Sequence, residues 1–166
     1  MRDEVYHRLD EWNIPYRKIA HAPAATLEEC AQISRALGAM VCKNYFLTTR
    51  SRKHYCLCIV RPQARLRTAD ISRQAGTPRL SFADEKELMA LLHTRPGSVS
   101  PMGLLFTDQV RLLVDRALQE EPELAFHPCE NTETLVMQTA DFFHIFLPKT
   151  GVAAEFVDIH DFMFSM

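Results

Sequence analysis

The most distinctive stretch of the chain is Gly97-Ser98-Val99-Ser100-Pro101, five small or ring-constrained residues in a row. Small side chains let a backbone approach a ligand closely, and its N–H groups can then stabilise a developing oxyanion. The same composition also describes an ordinary turn, because Gly and Pro punctuate most loops. Lys43 is the second candidate. It lies among Val41, Cys42, Tyr45, Phe46 and Leu47, where an amine needs a partner if it is buried, although strand alternation equally permits a solvent-facing lysine. A third cluster, His127-Pro128-Cys129-Glu130-Asn131-Thr132, gathers an imidazole, a thiol, a carboxylate and an amide. Such a set at a strand end suits acid–base or positioning chemistry, and a plain strand-to-strand turn explains it equally well.

Thiol and metal chemistry have weaker support. Nothing in the sequence fixes the distance of Cys42 or Cys129 from His127, and buried cysteines are usually inert. His7, His21, His54, His93, His144 and His160 are far apart, with no H-x-x-x-H pair, so they read as surface or core histidines and not as zinc ligands. Five cysteines cannot all pair within one chain, and Cys30, Cys42, Cys56, Cys58 and Cys129 form no C-x-x-C framework; reduced thiols are expected.

The elements that must position these residues read as mixed α/β. Val5, Leu9 and Trp12 fall at helical spacing, and a short strand follows Pro15 over 16–20. Thr26 with Glu28 and Glu29 signals the start of a second helix over 27–37, with Ile33 and Leu37 on its apolar face and Gly38 as its stop. The stretches 43–49 and 54–61 are rich in aromatic and β-branched residues around the polar tract Arg50-Ser51-Arg52-Lys53, which predicts a hairpin. A helix over 68–75, a strand over 80–82 and a helix over 84–93 come next, and 94–109 reads as a structured loop. Strands are expected over 110–114, 124–127, 134–138 and 155–159, and a helix over 141–146. The mixture of hairpin-like and separated strands predicts a mixed, mainly antiparallel β-sheet with surrounding helices, in one domain spanning 1–166.

At 166 residues a chain buries roughly 70% of its unfolded surface, enough for a proper core. Hydrophobic residues make up 47% and charged residues 24%, which argues against disorder. The polar N-terminus lacks the apolar run of a signal peptide and no stretch reaches spanning length, so a cytoplasmic address is expected. The net charge is −2, yet residues 50–79 carry eight Lys/Arg against Asp70 alone, a balance of +7 that leaves −9 elsewhere. That separation allows one basic face to meet phosphates if the arginines point the same way.

Taken together, Cys42-Lys43-Asn44-Tyr45-Phe46-Leu47, Gly97-Ser98-Val99-Ser100-Pro101-Met102-Gly103 and Phe126-His127-Pro128-Cys129-Glu130-Asn131-Thr132 resemble the YbaK/ProX family of aminoacyl-tRNA deacylases. The likeness is to its PrdX and ProXp-ala branch, which is related to the editing domain of prolyl-tRNA synthetase. Arg79-Leu80-Ser81-Phe82-Ala83 and Val110-Arg111-Leu112-Leu113-Val114-Asp115-Arg116 extend it over nearly the whole chain. The resemblance implies hydrolysis in trans of the ester of mischarged tRNA, most narrowly Ala-tRNA(Pro), by the logic of a second sieve that admits what is smaller than proline. Relatives clear Ser, Thr or Cys from other tRNAs, and a non-catalytic tRNA-binding or regulatory module of the same fold is a further alternative.

By the same resemblance Lys43 matches a lysine beside the tRNA 3′ end, and Asn44 lines that pocket. The backbone of Gly97, Ser98, Val99, Ser100 and Pro101 matches a G-x-x-x-P loop that binds the aminoacyl group and orients water, and His127 matches a substrate-positioning histidine. Arg50, Arg52, Lys53 and Arg79 are candidates for phosphate contacts. No acyl-enzyme, metal or cofactor is implied. The implied partners are a tRNA acceptor end carrying the wrong amino acid and, transiently, prolyl-tRNA synthetase, with neither DNA nor a membrane among them.

Overall fold

In the computed structural model, residues 2–22, 27–130 and 132–159 are described. Thr26, Asn131 and His160 lie outside that set, as does the side chain of Cys30. Helix α1 (Arg2–Glu11) buries Val5, Tyr6 and Leu9 and leads into strand β1 (Arg17–Ala20). Helix α2 (Leu27–Leu37) is followed by the two-residue strand β2 (Met40–Val41) and the hairpin of β3 (Lys43–Thr49) and β4 (Tyr55–Val60). Then come α3 (Thr68–Ala75), β5 (Leu80–Phe82) and α4 (Glu85–Leu92). A 3-10 helix over Pro101–Phe106 precedes β6 (Val110–Asp115), and another over Arg116–Glu120 precedes β7 (Glu123–Phe126) and β8 (Glu133–Gln138). Helix α5 (Thr139–Asp141), a π turn over Phe142–Phe146 and α6 (Leu147–Thr150) form the last helical run before β9 (Ala154–Val157).

The strands divide into two sheets, where the sequence predicts one. The first has the order β1-β8-β7-β2 and the second β5-β3-β4-β6-β9. Four pairings are antiparallel, and three (β2 with β7, β4 with β6, β6 with β9) are parallel. The division is made at Cys42, between β2 in one sheet and β3 in the other. A two-residue strand has no period to read, so β2 is invisible in the sequence.

Side-chain alternation then builds three layers of core. Leu57, Ile59, Leu112 and Val114 of the second sheet meet Leu124, Phe126, Leu135 and Met137 of the first, with α1, α4 and the π turn closing this main cluster. On the far face of the second sheet Cys56, Cys58, Val60 and Leu113 pack with Ile71 of α3. On the far face of the first, Val41, Ala125 and Val136 pack with Leu37 of α2. Strand β4 is buried on both faces, which is why its run Tyr-Cys-Leu-Cys-Ile-Val is continuously apolar.

The basic run over 50–79 is not one surface. Arg61 forms a buried pair with Asp115 at 2.7 Å and donates to the Ile159 carbonyl at 2.8 Å. Arg73 pairs with Asp70 on α3, and Arg52 with Glu87. No helix of the described residues is long and apolar enough to cross a membrane.

Candidate active site

The 97–101 loop is shaped by its own residues. Gly97 has φ 88°, a conformation costly for any side chain, and the Ser98 N–H donates to the Arg95 carbonyl at 3.1 Å to close the turn. Ser100 caps the 3-10 helix, its Oγ accepting from the Met102 N–H at 3.1 Å, and Pro101 occupies the first helical position, where no N–H is needed. The N–H groups of Gly97 and Val99 find no acceptor among the described residues and belong to residues with exposed surface, so they are available to a ligand oxygen, whereas Ser100 is fully buried. The region expected as an irregular loop thus contains one turn of helix that fixes Ser100 and Pro101.

Gly103 holds this turn against α4. A Cβ there would lie 2.8 Å from the Leu92 carbonyl oxygen, so hydrogen alone fits. The loop faces the turn between β7 and β8 across a cavity of about 390 Å³ lined by Met89, Thr94, Arg95, Ser98, Cys129 and Thr132 among others. The Thr94 hydroxyl reaches the Cys129 carbonyl at 3.5 Å and joins the two segments. Two of the three stretches singled out in the sequence therefore share one cavity.

The third stretch is tied to β7 through β2, and neither Lys43 nor His127 is among the residues that line that cavity. Val41 pairs with Ala125, and the Cys42 N–H donates to the Ala125 carbonyl at 3.2 Å. Lys43 and His127 therefore each lie two residues beyond the same register pair. Lys43 is half-buried, and no carboxylate lies within ion-pair distance of its amine among the described residues. Asn44 shares the alternation of Cys42 and Phe46, which enter the main core, while Lys43 alternates with Tyr45 on the opposite side. Asn44 Nδ2 donates to the Cys42 carbonyl at 3.3 Å, and its Oδ1 is buried without a partner.

His127 is half-buried at the end of β7. Its Nδ1 lies 2.9 Å from the Glu133 carbonyl and 3.4 Å from Thr134 Oγ1. Burial pushes its pKa below the ordinary histidine value, the Glu133 hydrogen bond opposes that shift, and nearby His21 adds to it. His21, which the sequence reading set aside as an unremarkable surface or core histidine, stands with its ring centroid 6.1 Å from that of His127. The signal that brings it here is the β1–β8 pairing, in which Ala20 faces Glu133, and the His21 N–H donates to the Thr132 carbonyl. Arg95, exposed at the cavity, was missed too.

The thiols are poor nucleophiles. Cys42, Cys56, Cys58 and Cys129 are free and buried. Desolvation raises the Cys129 and Cys58 thiols to about 12 and pushes Cys42 up as well. Among the described residues no three His, Cys, Asp or Glu side chains gather as a metal site requires. The weak phosphate candidates lie elsewhere: Arg50, Arg52 and Lys53 form the hairpin tip, and Arg50 and Arg79 each follow outward from the Thr49–Leu80 pair. That tip is roughly 20 Å along β3 from Lys43, and Arg52 is already committed to Glu87.

The family model for the aminoacyl-tRNA editing domain matches residues 21–145. The prolyl-tRNA editing protein ProX of Acetoanaerobium sticklandii is 32% identical over 143 residues, covering 84% of this chain and 87% of the relative. The prolyl-tRNA synthetase associated domain-containing protein 1 of Danio rerio is 31% identical over 154 residues, covering 90% and 83%. A solved structure described as "a putative trans-editing enzyme for prolyl tRNA synthetase" superposes with a TM-score of 0.74 at 20% identity over 96% of each chain, a likeness of fold. With a matched segment that contains Lys43, the 97–101 loop and His127, the chain belongs to the aminoacyl-tRNA editing domain family.

Proposed function

We propose that this protein is a trans-editing deacylase that hydrolyses the ester of a mischarged tRNA, with Ala-tRNA(Pro) as its substrate. The observation that carries this reading is the shared cavity between the 97–101 loop and the turn after His127, in a chain of the editing-domain family. Two relatives whose names refer to prolyl-tRNA support the choice of tRNA.

The aminoacyl ester enters beside the loop, where the N–H groups of Gly97 and Val99 can meet the carbonyl oxygen as it gains charge. Lys43 holds the 3′-terminal phosphate or the developing negative charge, and Arg95 at the cavity offers a further cation. Neutral His127 positions the substrate with its unshared Nε2 electron pair. Because the ester is already activated, orientation of a water and modest electrostatic help suffice without a triad. Proline is rejected by size, as in a double sieve. The acceptor end of tRNA is the partner, and prolyl-tRNA synthetase a transient one.

The test is hydrolysis of purified Ala-tRNA and Pro-tRNA on the proline acceptor, beside Ser-, Thr- and Cys-tRNA and an enzyme-free control. Loss of alanine alone is expected. Loss of seryl, threonyl or cysteinyl groups instead would reassign the substrate, and no ester cleaved above the control would leave a tRNA-binding module.

A further inference from the structure

His127 does not stand alone. His21 Nδ1 lies 2.7 Å from the Ala22 carbonyl, and His21 Nε2 lies 2.8 Å from Thr134 Oγ1. A carbonyl oxygen can only accept, so His21 Nδ1 carries a proton. In the neutral ring His21 Nε2 is then an acceptor, and the Thr134 hydroxyl must donate to it. With its proton committed, Thr134 Oγ1 has only lone pairs left for His127 Nδ1 at 3.4 Å, and the Glu133 carbonyl at 2.9 Å also only accepts. Both neighbours of His127 Nδ1 therefore demand a donor. Thr134 is fully buried, so no water replaces its partners. His127 Nε2 has no partner among the described residues and is not sealed in the interior.

From this geometry we infer that His21 is a positioning residue. Through the Thr134 hydroxyl it reinforces the Nδ1–H tautomer that the Glu133 carbonyl sets, and so keeps the Nε2 lone pair unshared. The chain of donors runs one way, from His127 Nδ1 to Thr134, from Thr134 to His21, and from His21 to the Ala22 carbonyl. The Glu133 carbonyl at 2.9 Å demands the same Nδ1 proton, and His21 removes the one competing donor: without His21 the hydroxyl is free to rotate towards His127 Nδ1 and contest that tautomer. The lone pair so presented fits an N–H or O–H donor, such as the substrate's α-ammonium or a ribose hydroxyl. That last assignment rests on the proposed deacylase function, whereas the tautomer does not.

The measurement is the side-chain ¹⁵N spectrum of His127, assigned by loss of its signals in His127→Gln, in the full chain without tRNA. The wild type is expected to show a protonated Nδ1 and a bare Nε2. His21→Phe and Thr134→Val are expected to mix the tautomers, while Thr134→Ser keeps the wild-type spectrum. Deacylation by the two disruptive variants falls between about twofold and tenfold, the range for one lost hydrogen bond, and Thr134→Ser retains it. A wild-type His127 protonated on Nε2 overturns the inference even if no variant folds, and so does an unchanged tautomer in a folded His21→Phe. A wild type with the expected tautomer that cleaves no aminoacyl ester would keep the relay and reject the deacylase reading.

Discussion

Replacing Gly103 by alanine tests whether the loop is held by contact with α4. The added Cβ would lie 2.8 Å from the Leu92 carbonyl oxygen, 3.0 Å from Leu92 Cβ and 3.2 Å from Leu92 Cα. Favourable carbon contacts begin near about 3.5 Å, and two of these three atoms are backbone, so no rotamer change relieves the clash. Leu92 is fully buried and cannot retreat outward. The 3-10 helix must instead lift by roughly half an ångström or more, and overpacking of this kind costs about 1–3 kcal/mol. At about 2–4 °C per kcal/mol for a domain of this size, the melting temperature falls by about 2–12 °C. Ser100 and Pro101 ride on that helix, so the loop N–H groups move with it; misplacement near 1 Å can cost about 10²-fold in rate. The assay pairs a thermal melt with Ala-tRNA hydrolysis measured well below the melting temperature. Gly151→Ala is the control: φ is 79° and nothing lies within 4 Å of its Cβ, so it loses about 1–2 kcal/mol to backbone strain without a change in rate. A Gly103→Ala protein that melts with the wild type and retains full activity would refute the reasoning.

Lys43→Ala removes a half-buried cation from the start of β3 and is expected to lower kcat/KM for Ala-tRNA by about 10²-fold, the scale of one lost transition-state contact, with an unchanged circular dichroism spectrum and melt. Full activity would remove Lys43 from the site. Cys129→Ser and Cys42→Ser are expected to turn over at near wild-type rates, and iodoacetamide at neutral pH to leave the folded enzyme active, because burial keeps both thiols protonated; inactivation matched to one modified cysteine would reinstate a thiol mechanism. For His127 the folded pKa is depressed, so the unfolded chain binds the proton more readily. Its contribution to stability is present above the ordinary value near about 6.5 and is lost as pH falls through the folded pKa. Urea melts of wild type and His127→Gln should therefore converge as pH falls below that window, and kcat/KM should have its acid limb below it. An acid limb above that value would contradict the assignment.

Elements with a clear period were legible in the sequence. The apolar spacing in α2, the polar tip between β3 and β4 and the Asp84 start of α4 lie where residue types place them, and Asp84 closes a capping box with Glu87. Lys43, the small-residue loop and His127 stood out because each breaks a local pattern. His21 did not, since nothing near it in the chain is unusual; its role depends on a partner at Thr134, 113 positions away. Arg95 hid beside Pro96-Gly97 as one more loop residue. The basic tract shows the opposite limit, because Arg61 follows the same local pattern as an exposed arginine yet is largely buried against Asp115, while exposed Arg73 is paired with Asp70.

Under the proposed deacylase function, the same geometry bears on which group attacks the ester. A protein nucleophile needs an oxygen or sulfur free to react and a base within hydrogen-bond reach. Ser100 Oγ caps the Met102 N–H, and the Thr134 hydroxyl sits between two imidazoles inside the core with no exposed surface. Ser98 has no imidazole or carboxylate hydrogen-bonded to it among the described residues. The buried thiols lack the thiolate they would need. Each of these candidates among the described residues thus fails on a different count, which favours, within the proposed function, a water held between the loop N–H groups and the substrate. A site of this kind loses rate through displacement of its scaffold more than through deletion of any hydroxyl or thiol. That is why Gly103→Ala, which removes no functional group, should harm hydrolysis more than Cys129→Ser.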